Sequence, residues 1–257
     1  MCSSICFLGR LLCRYFTKKG LEVVGLVRSI PNESQREKGT RYLRWDGKKL
    51  GAWADELEGA QALVNLAGRS VNCRYGEKNR QEILQSRVDS TEILGEAMRA
   101  CRVLPPLWVN SSTATIYRHA EDHGQDEVTG EIGSGFSVEV ALAWEKAFFQ
   151  AQVPGAVRKV AMRTAIVLAN EKGSVFDYLF QLSRLGLGGR MGSGEQRVSW
   201  LAGEDFCRAV EWFLENEAEE GTYNVVAPGE VSQVVWERAK EWEKGRKRPK
   251  LGASRGF

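Results

Sequence analysis

Strand-like and helix-like segments alternate through the first two thirds of the chain, and this alternation restricts the possible folds more than any other feature. The strand-like runs are apolar, and we place them at 22–27, 41–45, 62–66, 107–111 and 159–168. Amphipathic helical patterns lie at 8–19, 52–57, 78–100 and 138–150. Such alternation predicts a parallel sheet covered on both faces, in a doubly wound α/β fold.

The pattern changes after Ala169, where the segments become shorter and richer in glycine. We expect a helix at 175–187, a loop or hairpin at 186–196 ("GLGGRMGSGEQ"), a helix at 204–216 and a strand at 222–226. The sequence therefore predicts three parts: a nucleotide-binding type domain at 1–170, a small substrate-side lobe at 171–240, and a basic disordered tail at 241–257.

The composition is that of a globular chain with balanced charge. Of its 257 residues 43% are hydrophobic, and 36 basic against 33 acidic residues leave a net charge of +3. This balance demands neither a nucleic-acid nor a membrane partner. The basic run 246–250 fits a solvated tail better than a nucleic-acid site, because no aromatic platform accompanies it.

Six cysteines, at positions 2, 6, 13, 73, 101 and 207, form no CxxC pair. We expect reduced thiols and a cytoplasmic protein, with organellar import left open. No run is long enough to span a bilayer and no signal peptide is recognisable. His119 and His123 lie in a polar acidic loop without regular ligand spacing, so no metal site is predicted.

Three strand ends carry residues suited to ligand binding, because ligands of open α/β sheets bind at the carboxyl ends of strands. Gly9 and Arg28 are 19 positions apart, close to the spacing between a glycine loop and a ribose-reading residue. An arginine there can pair with the 2′-phosphate of NADP, so Arg28 favours NADP over NAD. The alternative is a solvated arginine after an edge strand.

The second strand end is "NLAG", Asn65 to Gly68, where small residues allow close backbone approach to a cofactor. An ordinary tight turn is the alternative. The third is "NSSTATIY", whose hydroxyls could bond a substrate carbonyl or alcohol; Ser112 and Tyr117 are the candidate catalytic residues. Capping and turn chemistry explain the same hydroxyls without catalysis.

Several segments together resemble the atypical branch of the short-chain dehydrogenase/reductase superfamily, the epimerase-family or sugar-nucleotide-epimerase-like proteins. They include "FLGRLLCRYFTKKGLEVVGLVR", "LVNLAGRSV", "WVNSSTATIY", "RKVAMRTAIVL" and "LGLGGRMGSGEQRVSW", in the order and spacing of the family. The resemblance implies a Rossmann fold with a small carboxyl-terminal lobe, an NADP or NAD cofactor and a small-molecule substrate of unknown identity. It also suggests a homodimer formed through the two long helices.

The resemblance assigns roles to particular positions. The implied cofactor-binding residues are Phe7, Leu8, Gly9, Val27, Arg28, Leu66, Ala67, Gly68, Glu82, Arg87 and Val167. The implied substrate-side residues are Gln196, Ser199 and Trp200. From the helical pattern alone, Arg87 would be interpreted as a solvated charge on the surface of the long helix.

The chain also departs from the family pattern. Where the family has Gly-Gly-Thr-Gly-Phe-(Leu/Ile)-Gly, residues 3–9 keep only the final glycine, Gly9, and the strand before this loop is largely missing. The superfamily's Tyr-x-x-x-Lys pair aligns with Ser137 and Ala141, so Tyr117 is the nearest substitute acid by sequence. Two hypotheses follow: an NADP-dependent oxidoreductase or epimerase-like protein, or a degenerate, inactive paralogue or NADP-sensing scaffold.

Overall fold

The computed structural model describes residues 6–120, 122–155, 157–185, 197–229 and 231–232. Its α-helices are α1 (Phe7–Lys18), α2 (Glu77–Ala100), α3 (Phe136–Gln150), α4 (Val175–Arg184) and α5 (Gly203–Glu215). Its strands are β1 (Val23–Val27), β2 (Thr40–Arg44), β3 (Ala62–Asn65), β4 (Leu107–Thr113), β5 (Arg158–Thr164), β6 (Ile166–Leu168), β7 (Arg197–Val198), β8 (Trp200–Ala202), β9 (Gly221–Val225) and β10 (Val231–Ser232). Short 3₁₀ helices lie at Glu33–Gln35, Ala52–Leu57 and Ala114–Ile116.

The main sheet has the order β3-β4-β5-β9, and all of its neighbouring strands are parallel. A separate parallel pair, β1-β2, precedes it in the chain. Two small sheets complete the fold: β6 pairs with β8 in parallel, and β7 pairs with β10 antiparallel. Parallel strands joined through helices confirm the predicted α/β class.

Helices cover both faces of the main sheet, as the alternation predicted. On one face, Leu12 of α1 and Phe206 of α5 share a buried cluster with Val109 of β4. On the other face, Met98 of α2 packs in a second buried cluster with Trp108 of β4. Consecutive residues of one strand point to opposite faces, so Trp108 and Val109 belong to different buried clusters.

Helix α1 follows from its sequence. The Sγ of Cys6 accepts a hydrogen bond from the backbone N–H of Gly9 at 3.4 Å and caps the first turn. Leu12 and Phe16 point into the core. Gly20 then adopts a φ of +83°, which L-residues rarely adopt, and the chain leaves the helix.

The structure corrects several sequence-based boundaries. The single strand expected at 159–168 is two strands in different sheets. The N–H of Ala165 makes the last bond of the ladder with β9, to the carbonyl of Val225, and the next N–H, that of Ile166, donates to the carbonyl of Ser199 beside β8. The segment Ala52–Leu57 is a 3₁₀ helix, and α4 ends at Arg184. The loop at 186–196 and the tail at 241–257 lie outside the described residues.

Strand β9 falls in the range predicted for the second lobe, yet it extends the main sheet beside β5. Helix α5 likewise contributes Phe206 and Val210 to the core under that sheet. The main α/β body thus draws on both predicted ranges, and the division at residue 170 remains a prediction.

Within the described ranges, β1 pairs with β2 alone and β3 with β4 alone. The positions before Cys6, where any remnant of the largely missing first strand would lie, are outside those ranges. Among the helices that the structure describes, none has the length and apolarity to cross a membrane.

Candidate functional site

The turn after β3 is held by a buried amide. Asn65, 2% exposed, donates through Nδ2 to Oδ1 of Asn110 at 2.8 Å and to Oγ1 of Thr91 at 3.1 Å. Its own Oδ1 accepts the backbone N–H of Ala67 at 3.0 Å. Because β3, β4 and α2 all contribute to this cluster, the turn that carries Ala67 and Gly68 has a fixed shape.

Gly68 and Arg87 approach each other at this turn. A Cβ built on Gly68 would lie only 2.9 Å from Cζ of Arg87. The guanidinium donates through Nη1 to the carbonyls of Ile83 at 2.9 Å and Arg69 at 3.2 Å, and lies over the ring of Trp144, 5.1 Å from its centroid. Glycine at position 68 therefore leaves room for this arrangement.

Arg87 is a guanidinium without a carboxylate partner among the described residues. Burial lowers the pKa of Arg87, because desolvation penalises its charged form. The neutral carbonyls and the Trp144 ring offset only part of the cost of burying the charge. A half-buried cation beside a glycine turn at a strand's carboxyl end is suited to bind an anion such as a phosphate.

Glu82, one of the implied cofactor residues, lies near this turn and forms an ion pair with the chain that follows Gly68. Its carboxylate forms an ion pair with Arg69, whose Nη2 also donates to Oδ1 of Asn79 at 2.7 Å. The backbone N–H of Arg69 donates to Oγ of Ser86 at 2.8 Å. Glu82 thus fixes the chain that follows Gly68.

Several predicted cofactor residues meet in one apolar cluster. Phe7 and Leu8 of α1, Leu66 after β3, and Val167 of β6 all belong to the core under α1. Gly9 lies in the first turn of α1. The family-loop positions before Cys6 lie outside the described residues.

Val27 and Arg28 lie at the carboxyl end of β1. Val27 is 5% exposed and its carbonyl accepts the N–H of Trp45 at 2.8 Å, whereas Arg28 is exposed. Leu26, the preceding residue, packs against the same core cluster as Ala67. This shared cluster links the end of β1 to the turn after β3.

At the end of β4, Ser112 belongs to a buried ionic cluster. Its hydroxyl donates to Oε1 of Glu145 at 2.6 Å, and that carboxylate pairs with Arg163 through Nε at 2.9 Å and Nη2 at 2.8 Å. The carboxylate raises the pKa of Arg163 further above its ordinary value. Ser112 is only 5% exposed, so its hydroxyl serves Glu145 rather than an open cavity.

Tyr117 connects this cluster to the surface. Its hydroxyl accepts a hydrogen bond from Nη1 of Arg163 at 2.7 Å and donates to Oδ1 of Asn224 at 2.9 Å. The guanidinium also lies over the Tyr117 ring, 5.1 Å from its centroid. Glu145, Arg163 and Asn224 could not be found from the sequence, because no local motif marks partners on α3, β5 and β9.

A cavity of about 590 Å³ opens beside Tyr117, between the end of β4 and the start of α3. Thr115, Ser137 and Phe136 contribute to its wall. Ser137 is the residue that aligns with the superfamily's tyrosine, and Ala141, at the lysine position, is fully buried. The full lining is Tyr75, Thr115, Tyr117, Arg118, His119, Ile132, Gly133, Ser134, Gly135, Phe136, Ser137 and Val138.

The predicted substrate-side residues lie elsewhere. The Ser199 carbonyl accepts the N–H of Ile166 at 3.3 Å, and Trp200 donates through Nε1 to the carbonyl of Gly229 at 3.1 Å. Neither contributes to the cavity beside Tyr117. Gln196 lies outside the described residues.

The parallel sheet, the glycine turn after β3 and the cavity after β4 define a Rossmann-like α/β protein. Residues 6–141 match the NAD dependent epimerase/dehydratase family, and the chain belongs to that family.

Individual relatives agree with this assignment. The Epimerase family protein Mb2239 of Mycobacterium bovis is 30% identical over 218 residues, covering 84% of this chain and 69% of its own length. The crystal structure of human epimerase family protein SDR39U1 (isoform 2) with NADPH has a TM-score of 0.73 at 28% identity, covering 88% of this chain and 73% of that one. A nucleoside-diphosphate sugar epimerase from Corynebacterium glutamicum has a TM-score of 0.71 at 28% identity, covering 91% of this chain and 48% of that one.

Proposed function

We propose that this protein is an NADP-dependent oxidoreductase or epimerase-like enzyme of the atypical short-chain type, acting on a small hydroxy or keto substrate. The observation that carries the proposal is the close approach of Arg87 to Gly68, a cation without a described carboxylate partner at the turn where this fold binds cofactors. The human relative of similar fold was crystallised with NADPH, which supports the same cofactor here.

The residues present fit a dinucleotide at this edge of the sheet. Because Gly68 has no Cβ, the guanidinium of Arg87 lies directly against the turn and supplies a positive charge there. Arg28, at the end of β1, would bind the 2′-phosphate that distinguishes NADP from NAD. Leu66 and Val167, from the core under α1, would form the apolar wall against which the rest of the cofactor lies.

When bound, a nicotinamide supplies hydride transfer, and the chain supplies orientation and a proton. Tyr117 would serve as the proton donor, because this residue lines the cavity and Ser137 cannot replace a phenol. In this role the Tyr117 hydroxyl would give up its hydrogen bond to Asn224 and donate to the substrate oxygen instead. Arg163 would remain bonded to the same oxygen and stabilise the negative charge left on it.

A second candidate function is an NADP-sensing scaffold or an inactive paralogue. This function is favoured because both candidate catalytic hydroxyls already form hydrogen bonds within the protein. Ser112 is hydrogen-bonded to Glu145, and Tyr117 is hydrogen-bonded to Arg163 and Asn224. Such a protein would bind cofactor without turning over substrate.

The cofactor proposal is tested by fluorescence titration of the purified chain with NADPH and NADH. We expect Arg28→Ala to weaken NADPH binding about tenfold or more and to leave NADH nearly unchanged, since only NADPH carries the 2′-phosphate. Arg87→Met keeps a long apolar stem against Trp144 and should weaken both cofactors. Arg36→Ala, whose guanidinium bonds the carbonyl of Pro31, is the matched control.

Saturable binding with these selectivities supports the proposal, and equal losses for both cofactors in Arg28→Ala would remove Arg28 from the site. No binding of either cofactor at millimolar concentration would contradict both the enzyme and the sensor. Binding without oxidation or reduction of any hydroxy or keto compound in a panel would favour the sensor. We place this function in the cytoplasm, because the spacing of the six cysteines in the sequence is typical of reduced thiols.

A further inference from the structure

Arg87 has one hydrogen-bonding edge that the protein does not use. Its Nη1 donates to the carbonyls of Ile83 and Arg69, at 2.9 and 3.2 Å. Nε and Nη2 form the edge that binds oxyanions in a bidentate manner, and they have no acceptor among the residues that the structure describes. Arg163 uses this same edge to bind Glu145, through Nε at 2.9 Å and Nη2 at 2.8 Å. The corresponding edge of Arg87 is therefore suited to one oxyanion.

Trp144 of α3 fixes the plane of this guanidinium. The side chain of Trp144 is buried, and Cζ of Arg87 lies 5.1 Å from the centroid of its ring. An arginine packed on an aromatic ring keeps its planar face against that ring. Because Nη1 is also held by two carbonyls, a rotation of the guanidinium would break one contact or the other. Nη2 would lie 3.2 Å from a Cβ built on Gly68, so the fixed group lies against the turn.

Trp144 also reaches the glycine turn through Thr91. Its Nε1 donates to Oγ1 of Thr91 at 3.1 Å, and this oxygen also accepts Nδ2 of Asn65 at 3.1 Å and donates to the carbonyl of Arg87 at 2.8 Å. A hydroxyl has one donor and two acceptor sites, so the Thr91 hydroxyl is fully used. Asn65 in turn holds the N–H of Ala67. One residue of α3 thus supports both the cation and the turn beside it.

The anion that suits this edge follows from the layout of the strand ends. NADP carries two anionic groups, the 2′-phosphate and the pyrophosphate. Arg28, at the end of β1, is the residue proposed for the 2′-phosphate. Arg87 lies at the turn after a different strand, β3, beside Gly68. The anion that remains for Arg87 is therefore the pyrophosphate.

We propose that Trp144 is a positioning residue of the pyrophosphate site, which holds the Nε–Nη2 edge of Arg87 beside Gly68 for one phosphate group. The inference rests on the proposed function, because it requires NADP to bind at this edge of the sheet. A side chain that is already held in its binding position loses little further freedom when the ligand arrives, and this strengthens binding.

Titration with two ligands tests the proposal. NADPH carries both anionic groups, whereas adenosine 2′-monophosphate lacks the pyrophosphate; its affinity is measured by displacement of NADPH. We expect Trp144→Leu to weaken NADPH about tenfold or more and to change the affinity for adenosine 2′-monophosphate by less than about twofold. Trp144→Phe keeps an aromatic face for Arg87 and should weaken NADPH by about threefold or less.

Trp53→Leu is the matched control. Trp53 is 5% exposed against 6% for Trp144, and its indole also makes one hydrogen bond, to the carbonyl of Lys49 at 3.1 Å. This variant should lose a similar amount of stability and bind both ligands as before. Far-UV circular dichroism establishes that each variant is folded. Trp144→Met fills more of the core without an aromatic face and gives the same comparison if Trp144→Leu does not fold.

The outcomes separate this inference from the proposed function. Equal weakening of both ligands in Trp144→Leu would show a general loosening of the fold and would overturn the proposal, as would an equal loss of NADPH binding in Trp53→Leu. Unchanged NADPH affinity in Trp144→Leu would overturn the inference alone. No binding of NADPH by the unchanged chain would overturn the proposed function and the inference together.

Discussion

Glu145 of α3 and Arg163 of β5 form a two-pronged ion pair whose side chains are only 10% and 11% exposed. The carboxylate also accepts the hydroxyl of Ser112, and the guanidinium donates to the hydroxyl of Tyr117. One buried pair thus connects α3, β4, β5 and the wall of the cavity. Its members are 18 residues apart in the chain, and the sheet brings them together.

Removing one member of this pair should strongly destabilise the fold. We expect Glu145→Ala to lower the free energy of unfolding by about 3–5 kcal/mol, because it leaves the Arg163 charge buried without its partner. Ser112→Ala removes one hydrogen bond and should cost about 1–2 kcal/mol. Urea denaturation measures both. The combined change of Glu145→Leu with Arg163→Met should recover much of the loss, and equal losses for Glu145→Ala and Ser112→Ala would contradict this account.

A methyl group at position 68 should disturb ligand binding more than folding. In Gly68→Ala the new Cβ meets the end of the Arg87 side chain, which can move aside. We expect a loss of stability below about 1 kcal/mol, with NADPH bound about tenfold more weakly because the guanidinium is displaced. Gly155→Ala is the control, since its Cβ would meet nothing within 4 Å. Unchanged NADPH affinity in Gly68→Ala would remove this turn from the proposed site.

Two buried thiols should make the fold sensitive to alkali. Burial raises the pKa of Cys13 from 9.0 to about 11 and that of Cys207 from 9.0 to about 12. At pH values between 9 and these raised pKa values, the folded chain holds more protons than the unfolded chain. The free energy of unfolding therefore falls as the pH rises. The contribution is complete below about pH 9 and is lost progressively toward pH 11–12. Urea titrations across this range should show a shallower loss in Cys13→Ala and Cys207→Ala, and identical slopes in all three proteins would refute the assignment.

Cysteine reactivity should differ in the same order as exposure. Cys6 is exposed at the start of α1, whereas Cys13 and Cys207 are buried with raised pKa values. Since the thiolate is the reactive form, iodoacetamide near neutral pH should modify Cys6 many times faster than the other two. Peptide mapping after a short exposure measures the rates. Faster labelling of Cys13 than of Cys6 would show that α1 opens more readily than its packing indicates.

The sequence determined the local elements, because apolar periodicity reports which side of a segment is buried. The pattern of Leu12 and Phe16 was enough to place α1, and small residues after a strand marked the turn at Gly68. The same reasoning could not find Glu145 and Arg163, since a charge within a helix or strand pattern gives no sign of its partner.

Only the tertiary structure decided how distant residues combine. It divided the predicted strand at 159–168 between two sheets, placed β9 beside β5, and left Tyr178 and Leu182 exposed on α4. It also brought Arg87 against Gly68, a contact between α2 and the turn after β3. Local propensity depends on neighbours in sequence, whereas these contacts depend on which surfaces remain free to pack once the sheet has formed.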